Sequence, residues 1–105
     1  MSLDGGGIRG LITATVVKYM EEEAYRYSLS KYCIPKRDNE LISMSEIFDL
    51  VAGTSTGSLL ATALVIPNND TTSSQKNKFF AQRVIDVYST EGSRVFQKFE
   101  ISAAF

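Results

Sequence analysis

The chain has 105 residues, 44% of them apolar, and 11 basic against 12 acidic side chains leave a net charge of -1. That balance, with no basic block, argues against nucleic acid as the principal partner, and no 18-residue apolar run exists to cross a bilayer. One cysteine and no histidine rule out an internal disulfide, a zinc-type ligand set and a Ser-His-Asp triad within these residues, so no metal or other cofactor is expected.

In chain order, Met1-Ser2-Leu3 reads as a clipped strand, followed by Asp4-Gly-Gly-Gly-Ile-Arg-Gly10. Three successive glycines suit a turn whose backbone must approach something closely. A helix pattern then places Ile8, Leu11, Ile12, Val16, Tyr19, Met20, Ala24 and Tyr27 on one side, with glutamates on the other. Unpaired amides at a helix amino end, freed by glycines, make a site for an anion, either a phosphate or an oxyanion. Gly5-Gly-Gly7-Ile-Arg-Gly10 also satisfies the dinucleotide fingerprint, which needs an acidic residue about 20 positions on, at the end of a second strand. Here Glu21, Glu22 and Glu23 still lie inside the first helix, so a nucleotide-binding module is the weaker reading. The same glycines can donate N–H groups to the oxyanion formed when a serine attacks an ester. Arg9 opposes the helix dipole in the first turn; an ion pair with Asp4 or Asp49, or an anionic substrate group, would offset this.

Residues 28–45, with Pro35 and the polar run Lys36-Arg37-Asp38-Asn39-Glu40, read as a loop with a helical turn at its end. Residues 47–52 read as a short buried strand leading into Gly53-Thr54-Ser55-Thr56-Gly57, which fits Gly-x-Ser-x-Gly. Residues 58–66 read as a helix buried on most sides and stopped by Pro67. Strand, elbow and helix thus occur in the order a nucleophile elbow needs, with Ser55 on the corner and the flanking glycines removing Cβ atoms that would collide. A polar linker over residues 68–74 precedes a helix over 75–90, with Phe79, Phe80, Val84, Val87 and Tyr88 on one face, a stripe read as core rather than lipid groove. Tyr25, Tyr27 and Tyr32 fit either an interface or ordinary amphipathic packing.

Asp4-Gly-Gly-Gly-Ile-Arg-Gly10, followed some 40 residues later by Phe48-Asp-Leu-Val-Ala-Gly-Thr-Ser-Thr-Gly57, closely resembles the patatin-like phospholipases, a family of lipid acyl hydrolases. Val87-Tyr88, Glu91-Gly92 and Val95-Phe96 look like the family's next segment, and Ser58 stands where many members have another glycine. The resemblance implies an α/β fold, the N-terminal part of a patatin-like parallel-sheet sandwich with helices on both faces. It implies Ser55 as nucleophile, Gly5, Gly6 and Gly7 with Arg9 nearby as the oxyanion site, and Gly53, Thr54, Thr56 and Gly57 as the elbow. It also implies a Ser-Asp dyad, the aspartate standing before Gly-Gly or Gly-Ala well past the elbow.

Downstream of Ser55 only Asp70 and Asp86 occur, neither followed by glycine, so residues 1–105 are expected to be a portion of the domain truncated before that aspartate. Asp4 and Asp49 read as structural. A fragment with two credible strands leaves faces uncovered, and the isolated chain is expected to be poorly soluble or molten. The expected partner is a lipid substrate, phospholipid or another acyl ester, with peripheral membrane contact. Cys33 as a lone thiol and an amino end unlike a signal peptide suit a cytoplasmic setting, peripheral at membranes. Beside the hydrolase stand two other readings: an inactive relative or fragment that binds lipid, and the nucleotide-binding module.

Overall fold

Two strands begin the architecture, β1 (Ser2–Leu3) and β2 (Ala52–Gly53), paired in parallel with Ser2 opposite Ala52 and Leu3 opposite Gly53. The computed structural model describes residues 1–37, 39–70, 72 and 75–104, and the side chains of Ser93 and of residues 95–104 lie outside that description. Asp38 in the expected loop, Thr71, Ser73 and Ser74 in the expected linker, and the side chains of Val95 and Phe96 therefore fall outside it. Four helices are described: α1 (Gly10–Tyr32), α2 (Met44–Ile47), α3 (Thr56–Val65) and α4 (Ala81–Ala104), with a 3-10 turn at Gly7–Arg9 before the first. The chain is thus mixed α/β, as the sequence implied.

The elements deviate from expectation at several boundaries. The strand expected over 47–52 shrinks to Ala52–Gly53, because in the parallel register β1 pairs only with those two residues and residues 47–51 have no partner strand among the described residues. Ile47 instead ends α2, the expected helical turn. That turn is fixed by a capping box: the Ser43 hydroxyl accepts from the Ser45 amide at 3.1 Å and Glu46 accepts from the Ser43 amide at 3.0 Å. Arg37 grips the same Glu46 carboxylate through two bonds of 2.8 Å, which holds the Glu46 pKa below the usual range and ties Arg37 to α2. α1 runs on to Tyr32 rather than stopping near Ser28, and Cys33 closes it in the left-handed region at φ 49°.

The helix expected from Gln75 starts only at Ala81. Asn77, buried, donates from its amide nitrogen to the Leu64 and Phe79 carbonyls at 3.3 and 2.8 Å, and residues 66–68 clasp 76–78 in a short antiparallel bridge. Side-chain bonds to backbone compete with helix there. α4 then continues past the expected end to Ala104.

The face that α1 buries is the largest correction. Gly10, Ala14, Val17, Glu21 and Tyr25 point inward, whereas Ile8, Ile12, Val16, Tyr19 and Tyr27 are exposed. Small residues win because α1 crosses α3 and α4 closely: a methyl on Gly10 would stand 3.1 Å from the Tyr88 ring and 3.2 Å from Thr56 Oγ1. The core gathers Leu3, Val17, Met44, Leu60, Leu64, Val84 and Tyr88 from both strand and helix elements. Of the three tyrosines, Tyr25 is buried, and its hydroxyl accepts from the Arg37 amide at 3.2 Å. Tyr27 and Tyr32 pair edge to face on the surface, with Lys31 over both rings.

Glu21 has no exposure at all, and both its carboxylate oxygens accept from the Ala81 amide, at 3.3 and 3.2 Å. It caps the amino end of α4 from α1, where a negative charge meets the helix dipole. Burial pushes this carboxyl up to about 7; the Ala81 amide opposes the rise and the charge of Glu22 adds to it.

Candidate active site

Each strand runs into a tight turn and then a helix, and the parallel pairing sets the two turns side by side. The second turn is the sharper. Ser55 sits at φ 53°, ψ −126°, a backbone state that L-residues rarely hold, at a cost of about 1–3 kcal/mol. It is the N-cap of α3, yet its hydroxyl does not cap the helix and is exposed to solvent. The elbow is held by backbone instead: the Gly57 amide donates to Thr54 O at 2.9 Å, and the Ser58 amide and hydroxyl donate to Ser55 O at 2.9 and 2.5 Å. Ser58, noted as a departure from the glycine common in the resembling family, thus pins the elbow with its side chain. A Cβ on Gly57 would collide with the Leu3 carbonyl, so the helix can lie against β1 only with glycine there. Gly53, in β2, faces the Gly57 carbonyl in the same way.

The first turn lies directly against Ser55. A methyl on Gly5 would stand 2.5 Å from Ser55 Cβ, 2.6 Å from the Thr54 carbonyl oxygen and 3.3 Å from Ser55 Oγ. The Gly5 amide donates to Thr54 Oγ1 at 3.2 Å, tying one glycine turn to the other. Gly6 (φ 150°) and Gly7 (φ 60°) both need positive φ, and neither amide meets an acceptor among the described residues. The geometry thus brings Ser55, Thr54 and the tri-glycine turn together at the amino ends of two helices, where the dipoles favour negative charge. Thr56 is buried below, its carbonyl accepting from the Tyr88 hydroxyl at 3.1 Å. That bond, and the one from Gly5 to Thr54, could not be read from the sequence. The only hint was a threonine on each side of the serine.

Arg9 behaves differently from expectation. It pairs with neither Asp4 nor Asp49, and among the described residues no carboxylate lies within ion-pair reach; its Nε turns back to the Gly6 carbonyl at 3.4 Å. The 3-10 turn places that carbonyl three residues behind, nearer than either aspartate. Asp4 is exposed and makes no bond to the loop amides. The two downstream aspartates are engaged elsewhere, Asp70 accepting from Thr72 and Asp86 from Gln82. Among the described residues no group of three potential metal ligands gathers, and no helix is long and apolar enough to cross a membrane.

The family model described as patatin-like phospholipase matches residues 1–104. The chain belongs to the patatin-like phospholipase family. Patatin-like protein 2 of Arabidopsis thaliana is 35% identical over 106 residues, which cover 99% of this chain and 23% of that protein. Patatin-T5 of Solanum tuberosum is 30% identical over 99 residues, covering 92% and 22% respectively. Patatin-like protein 2 of Oryza sativa subsp. indica is 40% identical over 70 residues, covering 67% and 15%. The chain therefore spans less than a quarter of the length of these curated relatives. No solved structure matches it. Membership of a family of lipid acyl hydrolases makes a hydrolase the reading against which the site is judged.

Proposed function

We propose that the protein carrying this chain is a serine-dependent lipid acyl hydrolase, with Ser55 as its nucleophile. The observation that supports this best is the contact between the strained, exposed Ser55 and the tri-glycine turn, in a chain of patatin-like ancestry. Ser55 Oγ attacks the ester carbonyl carbon while its proton passes to a base. The carbonyl oxygen becomes an oxyanion, and in this reading the amides of Gly6 and Gly7 donate to it, with the Arg9 guanidinium adding positive charge beside them. Gly5 serves through its shape and its bond to Thr54, since its own amide is engaged. Collapse of the tetrahedral species breaks the bond to the alcohol and leaves an acyl-serine. Water, activated by the same base, then releases the fatty acid and restores the hydroxyl.

The base in this reading is an aspartate outside these 105 residues. No described carboxylate bonds to the Ser55 hydroxyl, and Asp70 and Asp86 are engaged by Thr72 and Gln82. The substrate is a phospholipid or another acyl ester reached by peripheral contact with a membrane, in a cytoplasmic setting. The test is labelling of the full-length protein by a fluorophosphonate probe. Labelling is expected in the wild type and absent in Ser55→Ala; labelling that survives the substitution would remove Ser55 from the mechanism, and no labelling in either form would favour the inactive lipid-binding reading.

A further inference from the structure

Tyr88 belongs to the stripe read as core, and within that stripe it is buried with Phe80 and Val84 while Val87 is exposed. Its ring lies against Gly10, where an added methyl would stand 3.1 Å from the tyrosine Cε2 and 3.2 Å from Thr56 Oγ1. Its hydroxyl is buried too, and donates to the Thr56 carbonyl at 3.1 Å. One side chain of α4 thus meets the first residue of α1 and the first residue of α3. Gly10 directly follows the 3-10 turn that begins at Gly7, and Thr56 directly follows Ser55. α4 also packs against that 3-10 turn, so a single helix supports both halves of the site from behind.

The elbow needs such support. Ser55 holds φ 53° and ψ −126°, and a backbone state of that kind persists only where its surroundings fix it. The bonds to Thr54 O and Ser55 O come from residues 57 and 58, inside the elbow's own segment, and set its shape. The Tyr88 bond comes from another helix, 32 residues further on, and sets where the start of α3 lies. A hydrogen bond is directional in a way that apolar contact is not, so it fixes an orientation as well as a distance. Burial pushes the Tyr88 phenol above its ordinary pKa, with the bond to Thr56 opposing the rise, and the hydroxyl therefore stays a donor across the neutral range.

We infer that Tyr88 is a positioning residue for the reaction: its ring spaces the start of α1 from the start of α3 and its hydroxyl holds Thr56, so that Ser55 Oγ and the tri-glycine amides keep the separation a shared carbonyl requires. The inference rests on Ser55 being the nucleophile. Tyr88 touches no reacting atom and acts only through its two neighbours, Thr56 and Gly10. Misplacing a reacting group by about 1 Å slows a reaction by about 100-fold. Removing one hydrogen bond while the ring stays in place permits a smaller shift, and a loss of about tenfold is expected.

The test is turnover of p-nitrophenyl butyrate by the full-length protein, with a thermal melt of each variant. Tyr88→Phe keeps the ring and removes the hydroxyl, and is expected to lower kcat about tenfold with KM changed less than about twofold. Gly10→Ala keeps the hydroxyl and presses a methyl on the ring, and is expected to lower kcat at least as far. Val84→Ala, one turn earlier on α4 and buried in the core, removes packing without touching either turn: its melting temperature falls while its kcat holds. An unchanged kcat in Tyr88→Phe or in Gly10→Ala overturns the inference. So does an equal fall in Val84→Ala, which makes Tyr88 ordinary core. The nucleophile assignment fails separately: turnover that persists in Ser55→Ala sinks that reading whatever the Tyr88 and Gly10 variants show.

Discussion

At Gly5 a single methyl group separates a working arrangement from a displaced one. The added carbon would stand 2.5 Å from Ser55 Cβ and 2.6 Å from a backbone oxygen, and neither neighbour is the flexible end of a side chain. Gly5→Ala is expected to push the first turn off the elbow and lower kcat/KM by about 100-fold or more, since misplacing oxyanion donors costs that much. The accompanying loss of stability should be only about 1–3 kcal/mol. Ester kinetics alongside a thermal melt separate the two effects, and full activity in the variant would show that the turn does not act on the reaction. The corner at Ser55 was legible in the sequence because Gly-x-Ser-x-Gly between a strand and a helix has few backbone solutions. The partner of Arg9 was not. Asp4, Asp49 and the Gly6 carbonyl were all within plausible reach along the chain, and the torsions of the 3-10 turn selected the last.

Between elements, the carboxylate of Glu21 joins α1 to the first turn of α4, and its titration carries a sign that can be checked. Its pKa is raised from 4.5 to about 7 by burial, so folding takes up a proton between those two values. The stability that protonation contributes is fully present below pH 4.5, declines as pH rises and is gone above about pH 7, a span of about 3 kcal/mol. The charged groups that bear on it are its neighbour Glu22 and the amino end of α4. Glu21→Gln keeps an oxygen to accept from Ala81 but cannot ionise. Denaturant melts at pH 5 and pH 8 should therefore show a downward slope in the wild type and a flatter one in the variant; identical slopes would show that the carboxyl titrates normally. The periodicity of α1 located the helix and misjudged its buried face. Hydrophobicity ranks Ile12 and Val16 above Gly10 and Ala14, but a close helix crossing rewards small side chains, and only the neighbouring helices reveal where that crossing falls.

Over the whole molecule, apolar surface remains uncovered. Ile12, Val16, Tyr19, Leu50 and Leu59 are each more than half exposed, and a two-stranded sheet has few ladder bonds to support it. Expressed alone, this chain is expected to bind an apolar dye and to unfold over a broad temperature range. A sharp, cooperative melt without dye binding would contradict that. Sequence by itself determined the family, the mixed α/β class and the two glycine turns with the serine between them, because those features depend on local backbone sterics and on residues adjacent in the chain. Tertiary structure alone decided that Gly5 meets Ser55, that Glu21 is buried at the start of α4, and that in the stripe read as core Phe80, Val84 and Tyr88 are buried while Val87 is exposed. Those outcomes depend on contacts between segments some 50 or more residues apart, or on which side of a helix its neighbours cover. Periodicity carries no information about the distance of that approach.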